Sequence, residues 1–215
     1  MIIQNIKALA TTPTRKDALE IVNAGIEAVL TKPVMRHQIN LSKKILKIQE
    51  KTWDLSYYKR ILVIGAGKAS GEMAQEIEEI LGKYITEGIV IDTQKKKLSK
   101  IRVIQGTHPL PSLANINATK QILNLLNTAT KEDLVLCLIS GGGSVLLEDP
   151  IIPLDQLIHI NKELLHRGST IQEINTIRKH LSRIKGGQLA QIASPATLIT
   201  IVISDVITND LAVIA

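Results

Sequence analysis

Four short segments of this chain set glycine, hydroxyl, imidazole and charged side chains at spacings that suit anion chemistry. They read Gly65-Ala66-Gly67-Lys68, Thr107-His108-Pro109, Ser140-Gly141-Gly142-Gly143-Ser144 and Ser204-Asp205. Three successive glycines exceed what a tight turn requires, since each adds chain entropy that folding must remove. A run of N–H groups exposed there makes an anion nest, with Ser140 and Ser144 as further donors. Gly65-x-Gly67 followed by Lys68 lets backbone approach a phosphate and adds a cation. That segment is neither GxxxxGK[ST] nor an intact GxGxxG, because Ser70 stands at the third glycine position. Asp92, near the end of the next apolar run, imitates the ribose-binding acid of a dinucleotide fold. Nucleotide binding and a structural turn both stay open for it.

Between Asn175 and Gly187 stand Arg178, Lys179, Arg183 and Lys185, with no acid. This reads either as a solvated basic face or, with Gly186-Gly187, as an anion clamp. Asp205 is placed to hold Mg²⁺ at a phosphate, or to cap a turn. His108 reads as a structural residue or a substrate contact. His159 and His166 lack a metal-ligand pattern, and neither Ser140 nor Ser144 sits in G-x-S-x-G.

The elements that must position these groups alternate between strand and helix. Apolar runs at Ile61–Ile64, Gly88–Asp92, Ile101–Ile104, Leu134–Ile139 and Leu198–Ile203 read as buried strands. Helical periodicity follows Lys68, with Ala69, Met73, Ile77 and Leu81 on one stripe, and recurs around Ile116 to Leu126. Two further helices come in succession, the second opened by overlapping capping boxes at Ser169-Thr170 and Gln172-Glu173. Together these predict a Rossmann-like three-layer α/β sandwich on a mostly parallel sheet. Ligands of such sheets bind beyond the carboxyl ends of the strands, where all four segments fall. A helical leader over residues 1–44 is expected to pack on the domain at 45–215. Its apolar face is Ala18, Ile21, Val22, Ile26 and Val29, and Pro33 is expected to end it.

Hydrophobic residues make up 45% of the 215, enough for a sizeable core, whereas aromatics are 2% with no Phe. That scarcity argues against single-stranded nucleic acid as a partner, which needs stacking platforms. The net charge of +6 suits an anionic ligand. One cysteine, Cys137, excludes an internal disulfide and a Cys-rich zinc site. No apolar run has signal-peptide or membrane-span character, so a cytoplasmic location without membrane partners is expected.

GAGKASGEMA from Gly65, THPLPS from Thr107, DLVLCLISGGGSVLL from Asp133, EINTIRKHLSRIKGGQLA from Glu173 and ISDV from Ile203 resemble glycerate 2-kinases, whose second domain is called MOFRL. The order and spacing match from about Asp17 onward. The resemblance implies ATP- and Mg²⁺-dependent phosphorylation of D-glycerate, with Lys68 as the family's catalytic lysine. It carries over the positions Gly141 to Ser144, Asn175, Arg178, Lys179, Lys185 and Gly186. From chemistry, phosphate contacts are expected from Gly65, Gly67, Ser140 to Ser144, Lys185 and Gly186, and substrate contacts from His108, Asn175, Arg178 and Lys179. Where relatives read SDVPGDD, this chain has Ser204-Asp205-Val206-Ile207-Thr208-Asn209-Asp210, and it covers only the N-terminal part of the family pattern. The chain alone is therefore expected to bind ATP weakly, to associate with itself, and not to turn over glycerate. A hydroxypyruvate reductase using NAD(P), or a vestigial nucleotide-binding domain, is the alternative. Common to the nucleotide readings is a single sheet edge carrying Gly65, His108, Gly141 and Asp205; opposite ends for Gly65 and Gly141 would contradict them.

Overall fold

The computed structural model describes residues 2–204 and 206. It divides into two compact units, Met1–Trp53 and Asp54–Ala215. The first holds α1 (Ile6–Leu9), α2 (Pro13–Ala28) and α3 (Thr31–Gln38), followed by a three-stranded sheet of β1 (Ile39–Ser42), β2 (Ile45–Ile48) and β3 (Lys51–Asp54) in which β1 and β2 run antiparallel. Thr12 caps α2, its hydroxyl accepting from the Arg15 amide. Pro33 does not end that helix: it stands in the first turn of α3, where a missing N–H leaves no bond unmade. The stripe of Ile21, Val22 and Val29 is exposed, and Asn23 is buried instead, its Oδ1 accepting from the Ile2 and Ile3 amides.

The second unit is built on five parallel strands: β4 (Arg60–Ala66), β5 (Glu87–Asp92), β6 (Ile101–Gln105), β7 (Asp133–Ser140) and β8 (Thr197–Ile203). Their order is β6-β5-β4-β7-β8. The chain steps outward on one side from β4 to β6 and then crosses to β7, so the topological switch lies between β4 and β7. The connecting helices are α4 (Ser70–Leu81), α5 (Leu113–Leu126), α6 (Gly143–Leu146), α7 (Leu154–His166), α8 (Ile171–His180) and α9 (Gln188–Ala193).

Both sheet faces are covered, as the uninterrupted apolar runs require. Leu62, Ile64, Ala66, Ile89, Ile91, Val135 and Cys137 pack with Ala118, Ile122, Leu125 and Leu126 of α5. Strand alternation turns Val63, Val90 and Leu136 to the other face, where α4 buries Met73, Ala74, Ile77 and Leu81. Each fully buried Leu or Ile contributes roughly 1.5–3 kcal/mol, so this Phe-free core needs no aromatic volume. The Thr170–Glu173 capping box forms at the start of α8 as its spacing predicts. Among the described residues no helix is long and apolar enough to cross a membrane.

The amino end of the sheet is locked by charge. Arg60 donates from Nε to Asp133 Oδ1 at 3.0 Å and from Nη2 to Oδ2 at 2.7 Å, joining the two central strands. The Thr130 amide adds a bond of 2.7 Å to the same carboxylate. Arg60 chiefly, and then Thr130, hold the Asp133 carboxyl below the usual carboxylate range against the opposing effect of burial. The stabilisation is therefore complete above the ordinary carboxylate range and is lost as pH falls through the lowered folded value. Urea titration of Asp133→Ala at neutral pH should show a loss of about 3 kcal/mol. The gap from the unsubstituted chain should narrow at acid pH. Equal stability at neutral pH would remove the lock.

Candidate functional site

At the carboxyl edge of β4 and β7 two glycine turns meet, and they play different parts. The first, Gly67 to Gly71, has its amides occupied. Gly67 N donates to Ile91 O at 3.1 Å, Lys68 N to Gly141 O at 2.9 Å and Ser70 N to Gly67 O at 3.1 Å. Ala69 N donates to Ser140 Oγ at 3.0 Å, and Gly71 N to Asp92 Oδ2 at 2.8 Å. Gly67 has φ +147°, and a Cβ there would run into the Ser140 side chain and carbonyl. This turn is a seat for the second one. It presents no nest of its own.

The second turn presents the free donors. Among the described residues the amides of Gly141, Gly142, Gly143 and Ser144 give no hydrogen bond to a protein acceptor. Gly142 has φ +84°, in the left-handed region that an L side chain enters at a cost of about 1–2 kcal/mol. A Cβ on it would lie 2.9 Å from His108 Cδ2 and 3.4 Å from Lys68 Cγ, so imidazole and lysine stem close over the turn. The turn opens into a pocket of about 430 Å³ whose walls include His108, Gly141 to Ser144, Asn175, Arg178 and Ser204.

Charge in this pocket is one-sided. Burial first, and then the Lys68 and Arg178 cations, push the His108 imidazole below its ordinary value, leaving it neutral at neutral pH. Arg178 is aimed by Asn161 of α7, whose Oδ1 accepts from Nε at 2.9 Å. No carboxylate lines the pocket among the described residues. An anion is what this wall fits.

The basic run after Asn175 is neither a solvated face nor one clamp, because the fold distributes it. Arg178 faces the glycine turn. Lys185 is buried, donating to Glu148 Oε2 and Leu147 O, each at 2.9 Å, and so is committed to an internal ion pair. Lys179, Lys185 and Gly186 line a neighbouring, more apolar cavity of about 500 Å³ beside Leu189 and Leu198, which meets the first at Ile139, Gly143 and Val202. Arg183 reaches Asp149 and the Pro150 carbonyl. The structure thus brings together Lys68, His108, Ser140 to Ser144, Asn175 and Arg178, with Gly65 and Gly67 packed beneath them. It does not bring Lys179, Lys185 or Gly186 to the same pocket.

Asp92 also has a different task from the ribose contact it imitates. It is buried, with Oδ2 accepting from Gly71 N and Oδ1 from Gln94 N, and so caps α4 from a neighbouring strand. Cys137 is an interior residue, its thiol pushed up to about 12 by burial. Asp205 lies outside the described residues, and among the described ones no three His, Cys, Asp or Glu side chains gather as a metal site. Sequence reasoning missed two supports. One is Asn161 behind Arg178, whose signal is an Asn inside a helix; the other is Asn115 behind His108, also a helical Asn, whose side chain bonds back to Thr107.

Sheet order and free-amide turn together define a doubly wound α/β domain with a row of backbone donors at its switch point that meet no protein acceptor among the described residues. Residues 17–215 match a family described as a domain of unknown function, DUF4147, and the chain belongs to that family. It is 37% identical over 205 residues to a glycerate 2-kinase of Pyrococcus horikoshii, covering 94% of this chain and 46% of that one. The crystal structure of a glycerate kinase from Thermotoga maritima superposes with a TM-score of 0.77 at 33% identity, covering 91% of this chain and 45% of that one. A putative hydroxypyruvate reductase of Agrobacterium vitis is 42% identical over 160 residues, 73% of this chain and 42% of its own. The chain thus spans about half the length of the curated relatives it matches.

Gly142→Ala should weaken phosphate and ATP binding at least about tenfold, since the new methyl displaces His108 and strains the turn. Gly25→Ala, a helical position where a Cβ meets nothing within 4 Å, should leave binding unchanged. Calorimetry with inorganic phosphate and ATP separates the two variants. Unaltered binding by Gly142→Ala would take the turn out of the site.

Proposed function

We propose that this domain supplies the phosphate-holding wall of a glycerate kinase, which transfers a phosphoryl group from ATP to D-glycerate. The observation that carries the reading is the four free amides of Gly141 to Ser144, ringed by Lys68, His108 and Arg178 and facing no carboxylate among the described residues. Phosphoryl transfer asks a protein chiefly to position oxygens and to neutralise the charge spread over them. The amides do this with fixed dipoles, which need no reorganisation as the reaction proceeds. Lys68, exposed at the mouth of the turn, is placed to follow the transferring group. Arg178, steadied by Asn161, offers a planar donor pair to the glycerate carboxylate. His108, neutral, offers a hydrogen bond beside the turn.

Kinases of this kind use ATP with Mg²⁺, and the ion would neutralise phosphate charge. The described walls provide no acidic ligand for it, so no step is assigned to a protein-bound metal. The reductase name of one relative finds no support at Asp92, whose two oxygens are held by the Gly71 and Gln94 amides. Calorimetry should accordingly show this chain binding ATP with Mg²⁺ in preference to NADH. Tight NADH binding without ATP binding would favour the reductase.

The activity is tested in a chimaera that joins this chain to the second half of the Pyrococcus relative, assayed for ADP release with D-glycerate. Lys68→Ala should lower kcat by roughly 10²–10³-fold while KM changes little, because the lost charge acts mainly in the transition state. A Lys68→Ala chimaera with undiminished kcat would leave the reading without its principal cation.

A further inference from the structure

Asn115 lies in the first turn of α5, fully buried, and every polar atom of its amide is engaged. Oδ1 accepts from Thr107 N at 2.8 Å, from Ser112 Oγ at 3.0 Å and from Thr107 Oγ1 at 3.2 Å. Nδ2 donates to Thr107 O at 2.9 Å and to Val145 O at 3.0 Å. Thr107 immediately precedes His108, and Val145 belongs to α6, the short helix that the glycine turn opens. One planar amide therefore spans the two segments that meet over Gly142.

Asn is a poor helix former, and a buried apolar residue would serve a helix that only had to pack. The bridge needs both an acceptor for Thr107 N and two N–H donors for two carbonyls, which an amide has and a carboxylate or hydroxyl lacks. Without it, nothing else among the described residues hydrogen-bonds the Thr107 backbone to α6. The His108 ring, which fills the space a Cβ on Gly142 would need, would then settle at a different distance from the turn.

We propose that Asn115 is a positioning residue, fixing the His108 loop to the glycine turn so that imidazole and amides converge on one phosphate. The proposal rests on the reading of Gly141 to Ser144 as the phosphate site. It assigns Asn115 no contact with the ligand; its effect passes through His108.

The test is an NMR titration of the isotope-labelled chain with inorganic phosphate as the probe. Charged groups that face His108 are Lys68 from the turn after β4 and Arg178 from α8. In the ligand-free chain His108 should titrate below an ordinary imidazole. In Asn115→Ser the loop is released from α6 and the value should rise toward the ordinary one. Phosphate binding should weaken roughly tenfold, the scale on which losing an outer support loosens a site. A purely structural role would lower the melting temperature and leave the His108 titration of the folded chain where it was; that result overturns the proposal. In the unsubstituted chain phosphate should shift the Asn115 side-chain amide signals together with those of His108. Should Asn115→Ser not fold, this shift decides: its presence supports the bridge and its absence overturns it. Should the unsubstituted chain bind no phosphate, the phosphate reading fails by itself. The ligand-free His108 titration of Asn115→Ser then still judges the bridge, supporting it if the value rises and overturning it if not.

Discussion

The close approach of two turns at the switch between β4 and β7 is the constraint on which the rest of the site depends. Gly67 has no side chain because the Ser140 side chain and carbonyl occupy that space. In return, Ser140 Oγ and the Gly141 carbonyl accept the amides of Ala69 and Lys68. This exchange closes the first turn and leaves the amides of the second without a protein acceptor among the described residues. Parallel pairing from Arg60↔Asp133 to Ala66↔Ile139 delivers the two turns to the same level, and the Arg60–Asp133 pair fastens that register at the far end.

Charge then gives the opening its preference. Four amides, a lysine, a guanidinium and a neutral imidazole surround a space that no described carboxylate enters. In so one-sided a field an anion gains from every neighbour, and partial exclusion of water strengthens each interaction. The acids nearest in sequence are held elsewhere: Glu148 by buried Lys185, Asp149 by Arg183, Asp92 by the Gly71 amide. Glu148 still acts on Arg178, favouring its charged form against the effect of burial, but does not line the pocket.

The architecture was legible because it rests on local signals. Continuous apolar runs mark the five strands within one or two residues, and the prediction of one edge for Gly65, His108 and Gly141 agrees with the observed topology. Side-chain direction was not legible. Lys179 and Lys185 belong to the same basic stretch as Arg178, but helix phase and the end of α8 at His180 send them to another cavity or into an ion pair. GxG followed by an acid one strand later suggested a dinucleotide. The difference lies in whether amides and carboxylate are free, and only tertiary hydrogen bonds decide that. The polar stretch around Lys43, Lys44 and Lys47 carries no clear strand signal, because its strands are four residues long and bury only Ile39 and Leu46. Asn115 and Asn161 look like ordinary helical polar residues until their partners, 8 to 30 positions away, are known.

The central claim is that the second glycine turn, and not the first, receives phosphate. Backbone ¹⁵N shifts recorded as ATP with Mg²⁺ is added to the chain test it most directly. The amides of Gly141, Gly142, Gly143 and Ser144 should move furthest and together, with those of Gly67 to Gly71 moving little because their bonds are already made. Large shifts confined to Gly67 to Gly71, with Gly141 to Ser144 unmoved, would contradict the account.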